Sequence, residues 1–155
     1  MPPKTRLHTI LLVARVCLGA FFLYVGGEKL FRMDGFIRDV ANYQIVGAPW
    51  DEVVAFTVAW LEIVAGLLLM LGVVRQGALL VLGGLTLVFM AGIGQAWARG
   101  LSISCGCFGA SAEPTNYPLH VSLNALILAT IAVLLLEARA LALVGAGGRG
   151  VEPRA

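Results

Sequence analysis

The sequence predicts an all-α polytopic membrane protein: a bundle of four transmembrane helices with a short interfacial segment between helices 1 and 2. Three observations lead there. The 155 residues are 59% hydrophobic and 13% charged, where typical globular proteins are about a quarter charged. The mean hydropathy is +0.91. Four apolar stretches approach or reach the roughly 20 residues that a helix needs to cross a hydrocarbon core of about 30 Å. A water-soluble fold of this size has a large surface to cover, and 11 Lys and Arg with 9 Asp and Glu are too few to cover it. The composition therefore excludes a soluble enzyme, a nucleic-acid binder and a disordered chain. The net charge of +2 carries no message about partners until the charges are placed along the chain.

The four spans fall at about 7–30, 53–74, 77–98 and 119–141. In lipid every backbone N–H and C=O needs an internal partner, which leaves helices or closed barrels. Barrel strands would alternate with a period of two, and these runs are too long and too uniformly apolar for that. Lys4 and Arg6 precede the first run as they would in a secretory signal. The run is longer than a signal core, lacks a clear small-x-small cleavage site and carries Arg15, so it is expected to stay as a span. Cys17, preceded by Arg15 and Val16, does not fit a lipoprotein site and reads as a buried small hydrophobe. Residues 1–155 form one membrane domain in this reading, with 142–155 as a flexible cytoplasmic tail.

Orientation follows from Lys and Arg near the span ends. One side holds Lys4, Arg6, Arg75, Arg139, Arg149 and Arg154; the other holds Arg32, Arg38 and Arg99 alongside Asp34, Asp39, Asp51, Glu52 and Glu113. Both termini are thus expected in the cytoplasm of a cell whose inner or plasma membrane holds the protein. Loops 31–52 and 99–118 then face outward.

The first loop is too polar to span and too long for a tight turn. Asp34 reads as an N-cap, and Met33, Phe36, Ile37, Val40 and Tyr43 recur at helical spacing, with Arg38, Asp39 and Asn42 off that stripe. This fits an interfacial helix on the outer leaflet, ended by Pro49, with Trp50 at the headgroups. An ordered loop packed on the bundle fits as well.

Within the spans, Arg15, Gly19, Phe22, Gly26 and Lys29 recur at intervals of four and three, one stripe along the first helix. Its glycines allow a neighbouring helix to come close. The second span carries Glu62 roughly 14 Å from its outer end at 1.5 Å per residue, a depth at which a lone carboxylate costs several kcal/mol. Arg15 and Lys29 are the cations on a neighbouring span able to offset it, so Glu62 is expected to face the first helix and pair with one of them. Such a pair serves either as a clamp on the bundle or as a proton or quinone site. Gln95, Asn124 and Glu28 are weaker members of the same network.

Beyond the third span stands Ser104-Cys105-Gly106-Cys107-Phe108-Gly109. Two cysteines flanking a glycine can close a small, strained disulfide ring, and strained, exposed disulfides are the labile, exchanging kind. So short a loop removes little unfolded-state entropy, which argues against a staple. Three alternatives stand beside exchange. One is a metal site with His120, where copper(I) suits two soft ligands better than zinc. The others are inert loop thiols and bonds to a partner subunit. Arg99 is the nearest sequence neighbour that could favour a thiolate. No haem, flavin or nucleotide fingerprint is present. A lipid-soluble quinone would be the natural electron acceptor in a membrane.

Together these features resemble the DoxX-like superfamily of four-helix membrane proteins, and more closely its MauE (methylamine utilisation) branch. The resemblance is carried by Arg15-x-x-Leu18-Gly19-x-x-Phe22-x-x-x-Gly26-x-x-Lys29-Leu30, by Glu62-x-x-x-Gly66 with Leu71-Gly72, and by the Ser104–Gly109 motif; it spans roughly residues 8–140. It implies maturation of an exported, disulfide-rich protein, and the wider superfamily implies thiol or thiosulfate oxidation, quinone reduction and membership of membrane complexes. MauE-type relatives often carry Arg-Asn in the fourth span. Here Leu123-Asn124 stands in its place, so no role that needs a cation at that position is implied.

Residues and resemblance give one reading: a membrane thiol–disulfide redox or maturation factor whose Cys105 and Cys107 act on the thiols of an exported client. Arg15, Lys29 and Glu62 form its intramembrane polar network, membrane lipid surrounds it, and a quinone is the candidate acceptor. The alternative is a non-catalytic accessory or assembly subunit packed among other subunits of a larger membrane complex. A small transporter or channel would need more intramembrane polar residues.

Overall fold

A computed structural model describes residues 3–101 and 116–147, with side chains over 6–101 and 116–140. It contains five helices: α1 (Pro3–Phe31), α2 (Met33–Asn42), α3 (Trp50–Leu71), α4 (Arg75–Ala98) and α5 (Tyr117–Gly147). Among the described residues four helices are long and apolar enough to cross a membrane: Arg6–Phe31, Trp50–Leu71, Arg75–Ala98 and Tyr117–Ala140. The protein is an all-α, four-span membrane bundle, with α2 as the short segment between the first two spans.

The span limits differ from the sequence reading where polar residues sit inside a helix. The second span begins at Trp50, not at 53, because Asp51 and Glu52 belong to its first turn. Acidic side chains there complement the free N–H groups and the positive end of the helix dipole. It ends at Leu71, where Gly72 takes φ 75°. The amides of Gly72 and Val73 bond back to Leu69 and Leu68 at 3.2 and 3.1 Å, closing a Schellman turn. Helix α5 continues to Gly147, past the expected span end at 141.

The spans pack in the ring order α1, α3, α4, α5, closed by a lighter α1–α5 contact, while α2 lies on α3 and the end of α1. We call the end with the α3–α4 turn basal, and the end with α2 and the α4–α5 connection apical. The tightest seam is α1 against α3. A Cβ on Gly19 would lie 2.7 Å from the carbonyl oxygen of Gly66, and one on Gly66 would lie 2.8 Å from that of Gly19. Here backbone meets backbone, the small-residue packing that replaces the hydrophobic drive in lipid. An apolar core of Leu18, Phe22, Leu69, Leu79, Leu82 and Leu134 fills the centre. A smaller cluster of Tyr43, Ile93 and Ala96 lies at the apical end.

Helix α2 follows α1 with only Arg32 between them. Asp34 lies in its first turn and is not its cap; the cap position is Arg32, without a side-chain hydrogen bond. The buried face is Phe36, Asp39 and Tyr43, so Asp39 sits on the inward side and not on the solvent side that the apolar stripe suggested. Cys17 is also corrected: it is exposed on the outer surface of α1. In a membrane the surface is as apolar as the interior, so an apolar neighbourhood in sequence does not make a residue inward.

Candidate functional site

Cys105 and Cys107 lie outside the described residues; the structure describes the base from which their segment departs and to which it returns. The chain is described to Leu101 and again from Asn116. The Tyr117 hydroxyl donates a hydrogen bond to the carbonyl oxygen of Leu101. The rings of Trp97 and Tyr117 stack with centroids 6.1 Å apart and planes 1° from parallel. These contacts hold the α4 exit beside the α5 entry at the apical end. Arg99 is engaged elsewhere: its Nη2 donates to Gln44 Oε1 at 2.7 Å and its Nη1 to the Tyr43 carbonyl oxygen at 3.4 Å. The guanidinium thus anchors the segment after α2 to the end of α4.

Of the three intramembrane charges, the structure brings two together. Lys29 Nζ lies 2.6 Å from both carboxylate oxygens of Glu62, and the two side chains are 0% and 2% exposed. The seam explains the meeting. Gly26 lets α3 close on α1, with Glu62 Cβ 3.1 Å from where its own Cβ would stand, and Lys29 follows three residues later on the same face. The ammonium also sits over two aromatic rings, 4.6 Å from the centroid of Phe89 and 5.1 Å from that of Phe36. A desolvated cation–π contact contributes about 2 kcal/mol. Buried charges survive in a low dielectric only when both are paired and their remaining valences met, and rings and carboxylate together do this for Lys29.

Beside Glu62, a cavity of about 20 Å³ is lined by Thr86, Asn124 and aromatic side chains, room for about one water molecule by volume. Thr86 and Asn124 each bond back into their own helix, to Leu82 and His120. Asn124 is buried, whereas Leu123 is 37% exposed. The position before the asparagine therefore faces outward, away from the pair, and a leucine there suits a lipid-facing surface.

Arg15 does not join this site. Its guanidinium reaches the basal end, where a Cβ on Gly72 would lie 3.2 Å from Nη1, and shares a cleft with Arg75 and Glu137. At the apical end an apolar cavity of about 260 Å³ lies between α2, α3 and α4. Its walls include Phe36 and Phe89, the two rings that hold Lys29, together with Tyr43, Val54, Val58 and Leu85. Among the described residues no cluster of three or more metal-ligating side chains occurs.

Residues 7–137 match the family described as methylamine utilisation protein MauE. The chain belongs to the MauE family. The match takes in the second and third spans whole, nearly all of the first and most of the fourth, with Lys29, Glu62, Cys105 and Cys107 inside it. Comparison with curated proteins and with solved structures gives no significant match. MauE membership suggests a general redox or maturation role at the membrane.

Sequence reasoning missed four parts of these sites: Phe36 and Phe89 around Lys29, Asp39 on the buried face of α2, and Glu137 beside Arg15. Glu137 had a readable signal, since the topology brings the end of the fourth span to the side that holds Arg75. Phe36 and Phe89 had none, as neither differs in kind from the other apolar residues of its helix.

Proposed function

We propose that this MauE-family protein is a thiol–disulfide redox or maturation factor, acting on an exported client through Cys105 and Cys107 on the extracytoplasmic face. Both termini are cytoplasmic in this reading, and the client is a protein with thiols to oxidise. The observation that carries it is the Cys-Gly-Cys spacing. A ring closed over one glycine is strained and exchanges readily, and it stands in a connection whose two ends are fastened together. The charge asymmetry of the span ends supports the orientation.

The exchange balances as follows. A client thiolate attacks one sulfur of the Cys105–Cys107 disulfide, and that bond breaks to a mixed disulfide and a free thiolate. A second client thiolate then resolves the mixed disulfide, leaving the client oxidised and the pair as two thiols. Two electrons and two protons have passed to the protein. A lipid-soluble quinone, as co-substrate, accepts both and leaves as quinol while the pair returns to the disulfide. The apolar cavity suits its ring and tail: it is walled by aliphatic and aromatic side chains and lies at the same end as the cysteine connection. The Lys29–Glu62 pair holds the wall of that cavity from behind through Phe36 and Phe89.

The test is alkylation of intact cells carrying the full chain in a Cys17→Ala background, with an impermeant large maleimide before and after mild reductant. We expect no tagging until reduction, then two tags added from outside, and loss of client oxidation in Cys105→Ser and Cys107→Ser. Thiols that are never oxidised, or that react only from the cytoplasmic side, overturn the reading and favour an accessory subunit of a membrane complex. That subunit would tolerate both serine variants.

A further inference from the structure

Independently of the cysteine chemistry, the basal end carries an arrangement that the redox reading leaves unused. Arg15 starts about 13 Å inside the first span at 1.5 Å per residue, and side chains on a helix lean toward its N-terminus. The guanidinium therefore runs to the basal membrane boundary, where it meets the α3–α4 turn at Gly72. There it lines a cleft with His8, Leu11, Leu12, Arg75 and Glu137.

The charges of this cleft do not close on one another. Two guanidiniums stand against one carboxylate. Among the described residues neither Arg15 nor Arg75 makes an ion pair within 4.0 Å, in contrast to Lys29 with Glu62 and Arg32 with Glu28. Arg15 Nε is sealed from solvent and has no hydrogen-bond partner. A buried N–H left without an acceptor loses its hydration for nothing in return, so Arg15, half-buried as a whole, has hydrogen-bonding capacity that the chain leaves unmet. Arg75 opens α4, whose first turn has no acidic residue and no side-chain cap. Free backbone N–H groups thus face the same boundary. Guanidiniums, an imidazole and backbone N–H groups all offer donors here, and guanidiniums bind tetrahedral oxyanions through paired N–H groups.

We infer that the basal end binds a phosphate group through Arg15, Arg75 and His8, either the headgroup phosphate of an anionic phospholipid or free phosphate. The enclosed space is about 20 Å³, so the anion is held at the mouth of the cleft and not swallowed by it. Leu11 and Leu12, the latter 42% exposed, flank the mouth as an acyl chain would require. Basic pockets between spans on the cytoplasmic side are the usual place for such headgroups.

The full-length protein in detergent tests this by native mass spectrometry with added phosphatidylglycerol or phosphatidylcholine, and by melting with and without millimolar inorganic phosphate. Wild type is expected to retain phosphatidylglycerol over phosphatidylcholine. Arg15→Gln and Arg75→Gln should each weaken that retention about tenfold, the loss expected for one charge-assisted contact. Arg38→Gln, an exposed arginine at the apical end, should leave it unchanged. If inorganic phosphate raises the melting temperature of wild type but not of Arg75→Gln, and phosphatidylglycerol adds nothing, the site stands and its ligand is free phosphate. Equal retention of both lipids together with no effect of inorganic phosphate on melting, or equal retention of phosphatidylglycerol by wild type and both glutamine variants, overturns the inference. In that event Arg15 serves only the carbonyl end of α3. Should Arg15→Gln fail to fold, Arg75→Gln decides alone.

Discussion

Lys29 and Arg15 lie on the same stripe of the same helix, fourteen residues apart, and the bundle treats them in opposite ways. Lys29 is enclosed, bound to both oxygens of Glu62 at 2.6 Å and backed by two aromatic rings. Arg15 is drawn away from the centre toward the basal boundary and keeps a donor without an acceptor. The difference lies in depth and in what the facing helix offers. Opposite Lys29, α3 presents a carboxylate; opposite Arg15, the same helix has ended and presents Gly72. A membrane bundle can keep a charge by neutralising it inside or by leading it out, and this protein does both along one helix.

Removing Glu62 is the most direct way to break the contrast. Glu62→Leu leaves Lys29 buried without its counter-charge and should destabilise the protein by about 3–5 kcal/mol, read as a fall in melting temperature in detergent. Lys29→Met combined with Glu62→Leu should recover most of that loss, because a well-packed apolar pair can replace a buried ion pair. If the double variant is as unstable as Glu62→Leu, the pair holds more than its own charges. A smaller effect is expected at the seam between the two sites. Gly66→Ala places a methyl 2.8 Å from the Gly19 carbonyl oxygen, and forcing the backbones apart should lower stability by about 1–3 kcal/mol in the same melt. Smallest of all is Arg15→Gln, expected within about 1 kcal/mol of wild type in lipid-free detergent, as for a polar change outside the core. A loss as large as that of Glu62→Leu would mean that the two charges are held alike, and the contrast would fail.

Much of the fold was legible in the sequence, and the reason is physical. Spans are set by length and apolarity, both properties of consecutive residues, so four of them could be placed to within a few positions. The meeting of Glu62 with the first helix was legible for a related reason: charges are scarce in lipid, so each has few possible partners. Which way a residue faces was not legible. Lipid and bundle interior are equally apolar, so Cys17 read as inward while it faces outward, and Asp39 was taken as outward while it is buried. The choice of Lys29 over Arg15 turned on the register of the α1–α3 seam, which sets Glu62 beside Gly26 and leaves Arg15 opposite Gly72. The aromatic box around Lys29 joins residues 36 and 89, which no local pattern connects.

The closeness of Lys29 and Glu62 has an electrical consequence. An energised membrane pulls on any isolated charge within it, by about 2.3 kcal/mol per 100 mV for a full crossing. Two opposite charges 2.6 Å apart feel nearly equal and opposite forces, and their helices are pinned to each other by the glycine seam. The pair therefore sets two ionic groups inside the bundle and yet offers the field almost nothing to move. Its wall keeps the same shape whether the membrane is charged or at rest.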